Sequence, residues 1–497
     1  MHLSQLYGHS LALLTDLYQL TMAYGYWQQG RQDEEAVFHQ FYRSNPFGGG
    51  YAIAAGLDTL VEYIQNFSFD NGDISYLSTL EGNNGEPLFE EDFLHYLRDL
   101  TFECDVDAVP EGTVVFPHEP LVRIKGPLIQ CQLLETALLN IVNFQTLIAT
   151  KAARICDAAQ GEPVLEFGLR RAQGIDGGIM AARAAYIGGC AGTSNVLAGR
   201  LLDIPVKGTH AHSWVMSYES ELESFEAYAD ALPNNCVFLV DTYDTLEGVK
   251  KAIKVGRKLR ERGYEMVGIR LDSGDLAYLS IEARKLLDEA GFEDAQIVAS
   301  NGLDEYTIKS LKEQGAQIRL WGVGTNLVTA KDQPALGGVY KLSAIRKDAD
   351  SEWKPRIKLS EQRIKISNPG CLQVRRFYDG DEYRGDMIFN ELQGEPGDTI
   401  IDPMDNTRRT SLDFDQTEDL LIPAFRDGQI QPEVHPTKTI PDGLDNAKKR
   451  AKDQLSKFHL GVKRFTNPHE YPVGLSRDLE QLRTCLIVEA RRFPQED

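Results

Sequence analysis

Two histidines stand together in GTHAHSW (208–214), with Thr209 and Ser213 beside them. An imidazole just past a strand can act as base or nucleophile. Of His210 and His212 only one need be reactive, and a histidine in such a place is as often structural. The next apolar run, VFLVDTYDT, ends at Asp241. A carboxylate bonded to one imidazole nitrogen fixes the tautomer and leaves the other nitrogen nucleophilic toward phosphorus. Asp241 is therefore a candidate partner of His212, and capping of the following helix suits it equally. GIRLDSGDLAYLS then brings Arg270, Asp272 and Asp275 close together, a guanidinium for phosphate and carboxylates for Mg²⁺ or ribose hydroxyls. The string lacks the glycine and the terminal glutamate of a calcium loop. SNGLDE (300–305) and WGVGTNL (321–327) are glycine-rich strand-to-helix turns. Gly302, Gly322, Gly324 and Thr325 there can present N–H groups to a phosphate. EFGLRRAQG (166–174) adds Phe167 with Arg170 and Arg171. An aromatic face beside a guanidinium suits a flat anionic heterocycle, while core packing and surface ion pairing account for the same residues. No GxxxxGK[ST] occurs, so ATP would have to be used without a P-loop.

Such residues need a scaffold that sets strand ends side by side. From residue 160 short apolar runs recur: PVLEFG, IPVKGTHAH, CVFLVDTYDT, MVGIRLDSGD, QIVASNG and IRLWGVGTN, each followed by a polar or glycine turn and a helical segment. This alternation predicts parallel β/α units, an α/β fold with the candidate residues on the C-terminal rim of a barrel. Upstream, helices are expected over 11–30 and 51–66, a strand at VFHQFY, and a long helix from LLETALLNIV to about residue 159 with apolar positions three and four apart. After about 345 acidic and proline-containing segments lead to a last helix, LSRDLEQLRTCLIVEARR. The expected organisation is an N-terminal α+β domain over 1–140, a β/α-barrel catalytic domain over 141–345 and a C-terminal segment over 346–497 packing back on both.

The chain has 497 residues, 42% hydrophobic and 25% charged, which places it among ordinary globular proteins. A formal charge of −22 disfavours nucleic acid and acidic membranes, so a phosphate ligand must meet a local basic cluster. The seven cysteines are scattered without a CxxC, which fits free thiols in a reducing cytoplasm. No basic segment leads into an apolar one at the N-terminus, and no stretch approaches ~20 apolar residues; a soluble, cytoplasmic protein is expected.

Taken together, TDLYQLTMAYGYW, FYRSNPFGGGYAIAAGLD, EFGLRRAQGIDGG, GTSNVLAG, GTHAHSWV, VDTYDT, RLDSGDL, SNGLDE and GVGTNL with LGGVYKL closely resemble the nicotinate phosphoribosyltransferases. The blocks run in family order from residue 14 to about 345. Beyond that the similarity loosens, and Cys371 in NPGC stands where the family usually has a basic residue. The resemblance implies a type II phosphoribosyltransferase fold, an irregular β/α barrel with an N-terminal α+β domain and a C-terminal accessory segment, working as a homodimer with sites at the subunit interface. It implies formation of nicotinate mononucleotide and pyrophosphate from nicotinate and 5-phosphoribosyl 1-pyrophosphate, the first step of NAD salvage from nicotinate. By the same resemblance Tyr18 of the partner subunit and Phe167 sandwich the pyridine ring, and Arg170 with Arg270 binds the nucleotide phosphate or the pyridine carboxylate. ATP phosphorylates His212, oriented by Asp241. Asp272 and Asp275 serve the ribose and Mg²⁺, and Gly322, Gly324 and Thr325 hold the 5′-phosphate. Arg43 reaches the pyrophosphate across the interface, with Thr209, Ser213 and Gly302 also at the substrates.

The chemistry suits these residue types. The nicotinate nitrogen attacks the anomeric carbon as pyrophosphate leaves, so no protein nucleophile toward carbon is needed, and the task is to stabilise a highly charged leaving group. Nicotinamide-using relatives place an aspartate after GT, where it accepts from the amide. Here GTSN has Ser194, which can donate to a carboxylate that an aspartate would repel. Quinolinate-using relatives have much shorter chains. A barrel glycosidase or aldolase would need a carboxylate pair or a Schiff-base lysine at the strand ends. A noncatalytic homologue would have lost His212, Asp241 or Arg270.

Overall fold

A computed structural model describes residue 7, residues 11–431 and residues 443–492. The chain divides into two compact units, residues 148–334 and residues 1–147 with 335–497. The expected long helix forms as Glu135–Ala158, so the division near 147 falls inside one continuous helix.

Residues 148–334 carry six short parallel strands, β1 (Val164–Glu166), β2 (Gly192–Thr193), β3 (Val237–Leu239), β4 (Gly268–Leu271), β5 (Gln296–Ala299) and β6 (Leu320–Val323), in the spatial order β2-β1-β6-β5-β4-β3. Five of the six apolar runs supply a strand, because their valines, isoleucines and leucines are buried on both faces, as parallel strands require. The sixth, Ile204–His212, does not form one. Pro205 removes a ladder donor, and the segment makes only a single parallel bridge, Val206 to Thr193. β2 lies in GTSN, where no apolar run announces it. The helix Thr245–Glu261 buries Val249, Ala252, Ile253, Gly256 and Leu259 along one stripe and leaves its lysines and glutamates outside. Several polar residues past the strands begin the next helix. Asn195, Asp244, Asp275 and Asp304 each accept backbone N–H groups of the first turn.

The same unit holds a wholly buried ion group. Arg154 Nε donates to Glu305 Oε1 at 2.9 Å. Lys151 Nζ stands 2.8 Å from Oε2, off the line of a well-aligned hydrogen bond. Removing the carboxylate takes away the ion pair that Glu305 makes with each of two buried cations, so Glu305→Gln should cost about 3–5 kcal/mol of stability. Urea unfolding with an unchanged slope would measure it.

In the other unit Glu35–Phe41 is the inner strand of a seven-stranded antiparallel sheet, between Val122–Pro127 and Val339–Arg346. Ile422–Arg426 joins the same sheet beside Asp105–Ala108, so N- and C-terminal parts of the chain share one sheet. The strand Val339–Arg346 runs through position 345, and the contact division falls at 334. A second sheet, of six strands, is built from residues 372–476 and holds a buried pair, Arg376 Nη2 to Asp386 Oδ2 at 2.6 Å. The cysteines are all free thiols. Cys371, at the head of Leu372–Asp379, is buried, which pushes its thiol up to about 11. Among the described residues no helix is long and apolar enough to cross a membrane.

Candidate active site at the strand ends

β4 lies between β3 and β5, and its penultimate residue, Arg270, reaches along the C-terminal edge. Its Nε donates to Ser300 Oγ at 2.8 Å, Nη1 to Thr209 Oγ1 at 3.0 Å and Nη2 to Asp272 Oδ1 at 3.0 Å. Ser300 Oγ donates to the same Asp272 oxygen. One guanidinium thus ties the ends of β4 and β5 to the segment that carries Thr209. Burial works to raise the Asp272 carboxyl, but the Ser300 and Arg270 bonds outweigh it and hold the group below its ordinary value.

His212 opens the short helix His212–Met216 and is part-exposed. Its Nδ1 is 3.0 Å from Thr242 Oγ1, and its Nε2 lies 3.7 Å from Asp272 Oδ2, beyond hydrogen-bond reach. The structure therefore puts His212, Arg270, Asp272 and Thr209 in one place. It departs from the sequence reading at Asp241, whose Oδ2 accepts the Asp272 N–H and the Ser273 hydroxyl, both at 2.7 Å, and does not hold the imidazole. The ladder explains this: Leu239 pairs with Arg270, so residue 241 faces the turn at 272. Asp241 Oδ1 is buried without a hydrogen-bond partner. Asp275 caps Leu276–Glu289, its Oδ1 accepting from Ala277 and Tyr278.

The two glycine turns meet through Asn326, whose Nδ2 donates to the Gly302 and Leu303 carbonyls at 2.9 and 3.0 Å. Gly302 has φ +62°, a left-handed turn that favours glycine. At Gly322 a Cβ would fall 2.6 Å from the Phe167 ring, so only glycine lets that ring lie flat against β6. Gly324 precedes a helix of only four residues that starts at Thr325, which makes its N–H groups matter more than any dipole. The Arg270 guanidinium carbon sits 5.8 Å from the Phe167 ring centre. Arg170 and Arg171 project from an exposed single turn after Phe167. Ser194 is part-buried, its N–H held by the Glu166 carbonyl at 2.9 Å. Thr193 donates to the buried Glu166 carboxylate at 2.5 Å and accepts from Asn195 N–H at 3.0 Å, which fixes the GTSN turn.

Ser213 is exposed on the face of its helix start. Tyr18, on Leu17–Gln28 of the other unit, is 49% exposed. Arg43, also in that unit, has a buried Nε with no partner, and burial lowers its guanidinium pKa. Residues the sequence reading left unnamed are Thr242, Ser273 and Ser300. Each is a hydroxyl adjacent to a named strand-end residue or closing a quoted run, and that adjacency was the available signal.

Comparison with known proteins places the chain in a family. Three family models cover most of the chain: the nicotinate phosphoribosyltransferase N-terminal domain (residues 13–143), the nicotinate phosphoribosyltransferase family (163–368) and its C-terminal domain (372–483). The nicotinate phosphoribosyltransferase of Bacillus subtilis is 45% identical over 98% of this chain and 97% of its own length. That of Homo sapiens is 36% identical over 95% and 96%. The crystal structure of human nicotinic acid phosphoribosyltransferase superposes with a TM-score of 0.82 at 33% identity, covering 95% of this chain and 99% of the human one. A nicotinate-nucleotide pyrophosphorylase from Pyrococcus furiosus, at 21% identity and a TM-score of 0.66, shares the fold. With the irregular α/β barrel of the type II phosphoribosyltransferases, nine sequence blocks in order and full-length relatives of one kind, the chain belongs to the nicotinate phosphoribosyltransferase family.

Proposed function

We propose that this enzyme couples ATP hydrolysis to transfer of the phosphoribosyl group onto nicotinate through a phosphorylated His212, and that it opens NAD salvage from nicotinate. The observation that carries the reading is the Arg270, Asp272 and His212 cluster at the end of β4. An imidazole nitrogen of His212 attacks the γ-phosphorus of ATP, the bond to ADP breaks, and water later releases phosphate from the ring. In the transfer itself the C–O bond to pyrophosphate breaks as the nicotinate nitrogen forms its bond to the anomeric carbon. Phe167 offers one face for the pyridine ring, with Tyr18 of the partner subunit as the other. Arg170 binds an anionic group of the substrates, Gly302, Gly322, Gly324, Thr325, Thr209 and Ser213 serve the phosphates, and Arg43 serves the pyrophosphate. The exposed Leu14, Leu17, Tyr18 and Met22 on and before one helix support a homodimer, since such an apolar patch is uncommon on a lone subunit.

Among the described residues no three His, Cys, Asp or Glu gather as a metal cage. That fits Mg²⁺ brought in on the pyrophosphate, which needs only one or two carboxylates. Asp272 and Asp275 would hold it, with the unpartnered Asp241 Oδ1 as a further donor, and it would neutralise charge on the departing pyrophosphate.

The test is product formation by purified protein with 5-phosphoribosyl 1-pyrophosphate and Mg²⁺, offering nicotinate or nicotinamide, each with and without ATP. Nicotinate mononucleotide made faster with ATP, with ADP alongside, is the expected result; nicotinamide turnover alone would overturn it. The same assay checks Ser194. An aspartate there would repel the pyridine carboxylate and accept from an amide, so Ser194→Asp should shift preference toward nicotinamide by about 10–100-fold. Unchanged discrimination would mean that other residues read the carboxylate.

A further inference from the structure

The strand order leaves a gap. β3 is the last strand of the ladder, and the segment 205–207, which lies beside β2, makes no ladder with β3. Just past β3 the N–H of Val240 goes to the Arg270 carbonyl, toward β4. Neighbouring N–H groups of a strand point to opposite edges, so that of Leu239 faces the open side, where a buried backbone donor must find an acceptor. It finds His210, whose Nε2 accepts it at 3.1 Å. The imidazole is 7% exposed and packs against Tyr228, ring centres 4.9 Å apart. Because Nε2 accepts, the hydrogen sits on Nδ1, toward the Ala211 carbonyl at 3.5 Å. Burial, with Arg270 and His212 nearby, depresses the ring's pKa to about 4, so it stays a neutral acceptor.

We infer that His210 is a positioning residue: its imidazole takes the place of a strand carbonyl, fastens the 207–211 segment to β3, and so sets Thr209 against Arg270 and His212 beside Thr242 and Asp272. Backbone bonds hold only the two ends of this stretch, Lys207 N–H to the Thr193 carbonyl and Trp214 N–H to the Ala211 carbonyl. Within it the ties are side chains, Thr209 to Arg270 and His210 to Leu239. The inference rests on the proposed function only in taking Thr209 and His212 as working residues.

The test compares His210→Phe, which keeps an aromatic ring but no acceptor, with His210→Gln, whose Oε1 can stand where Nε2 does. Hydrogen exchange at the Leu239 amide, resolved by fragmentation mass spectrometry, and ATP-stimulated transfer are both read on the full chain. For His210→Phe we expect exchange and turnover each to change about tenfold, with the KM for nicotinate little altered, and His210→Gln to restore both. Leu239 exchange as slow in His210→Phe as in the parent, or His210→Gln no better than His210→Phe, would overturn the inference. If His210→Phe does not fold, His210→Gln decides: slow exchange with near-parental turnover upholds the inference, and loss of both in a natively melting protein refutes it. Should the parent protein form no product at all, the proposed function fails, and Leu239 exchange in the two variants still decides this point.

Discussion

His212→Ala should remove ATP stimulation and leave a slow, ATP-independent transfer. The imidazole can take a phosphoryl group reversibly, and its place 3.7 Å from Asp272 Oδ2, with Thr242 at its other nitrogen, orients it without burying it. Its loss deletes the phosphoryl acceptor, so ATP hydrolysis should fall on the order of 10³-fold or more. The groups that meet the pyridine ring and the ribose phosphate, Phe167, Arg270 and the glycine turns, are untouched. ATP-free formation of nicotinate mononucleotide should therefore stay within about tenfold of the parent, because chemistry at carbon asks for no protein nucleophile. Two readouts check it: acid-labile label from γ-labelled ATP on the protein, and the ratio of rates with and without ATP. A variant that keeps full stimulation would end the assignment of His212.

The strands were legible because their runs are buried on both faces and closed by turn residues; Val237–Leu239, Gly268–Leu271, Gln296–Ala299 and Leu320–Val323 all fall inside the runs read from sequence. The run at Ile204–His212 misled because its apolar residues sit around Pro205 and Gly208, and apolarity alone carries no information on whether a neighbour exists to pair with. The residues of the cluster were legible as a set, while their partners were not. Which strand ends adjoin follows from the fold, but the direction in which Asp241 turns depends on a competing donor, the Asp272 N–H, that no spacing reveals. The same holds for Asp275, whose cap needs only the local helix start. His210 and His212 look alike in sequence. Burial separates them, one ring enclosed against Tyr228 and the other part-exposed at the rim.

Arg270→Lys should be far from conservative. The guanidinium reaches Ser300, Thr209 and Asp272 at once from three nitrogens spread in a plane, and its face stands 5.8 Å from the Phe167 ring. A lysine ammonium is a single point of charge and cannot span those partners. Thr209 and Ser300 then lose their donor and Asp272 its nearest cation, so kcat/KM should fall about 10²-fold. This loss should appear with and without ATP, which separates it from His212→Ala. The pH profile gives the second check. Ser300 and Arg270 together hold the Asp272 carboxyl below its usual value, against the effect of burial. A carboxyl so depressed stays ionised, and its stabilisation is present, above its ordinary pKa of about 3.9, and is lost only as pH falls through the depressed value. With the guanidinium gone the carboxyl should titrate at higher pH, so the acid limb of activity should move upward in Arg270→Lys. An acid limb that does not move, or a loss confined to the ATP-stimulated rate, would show that Arg270 acts elsewhere than on Asp272.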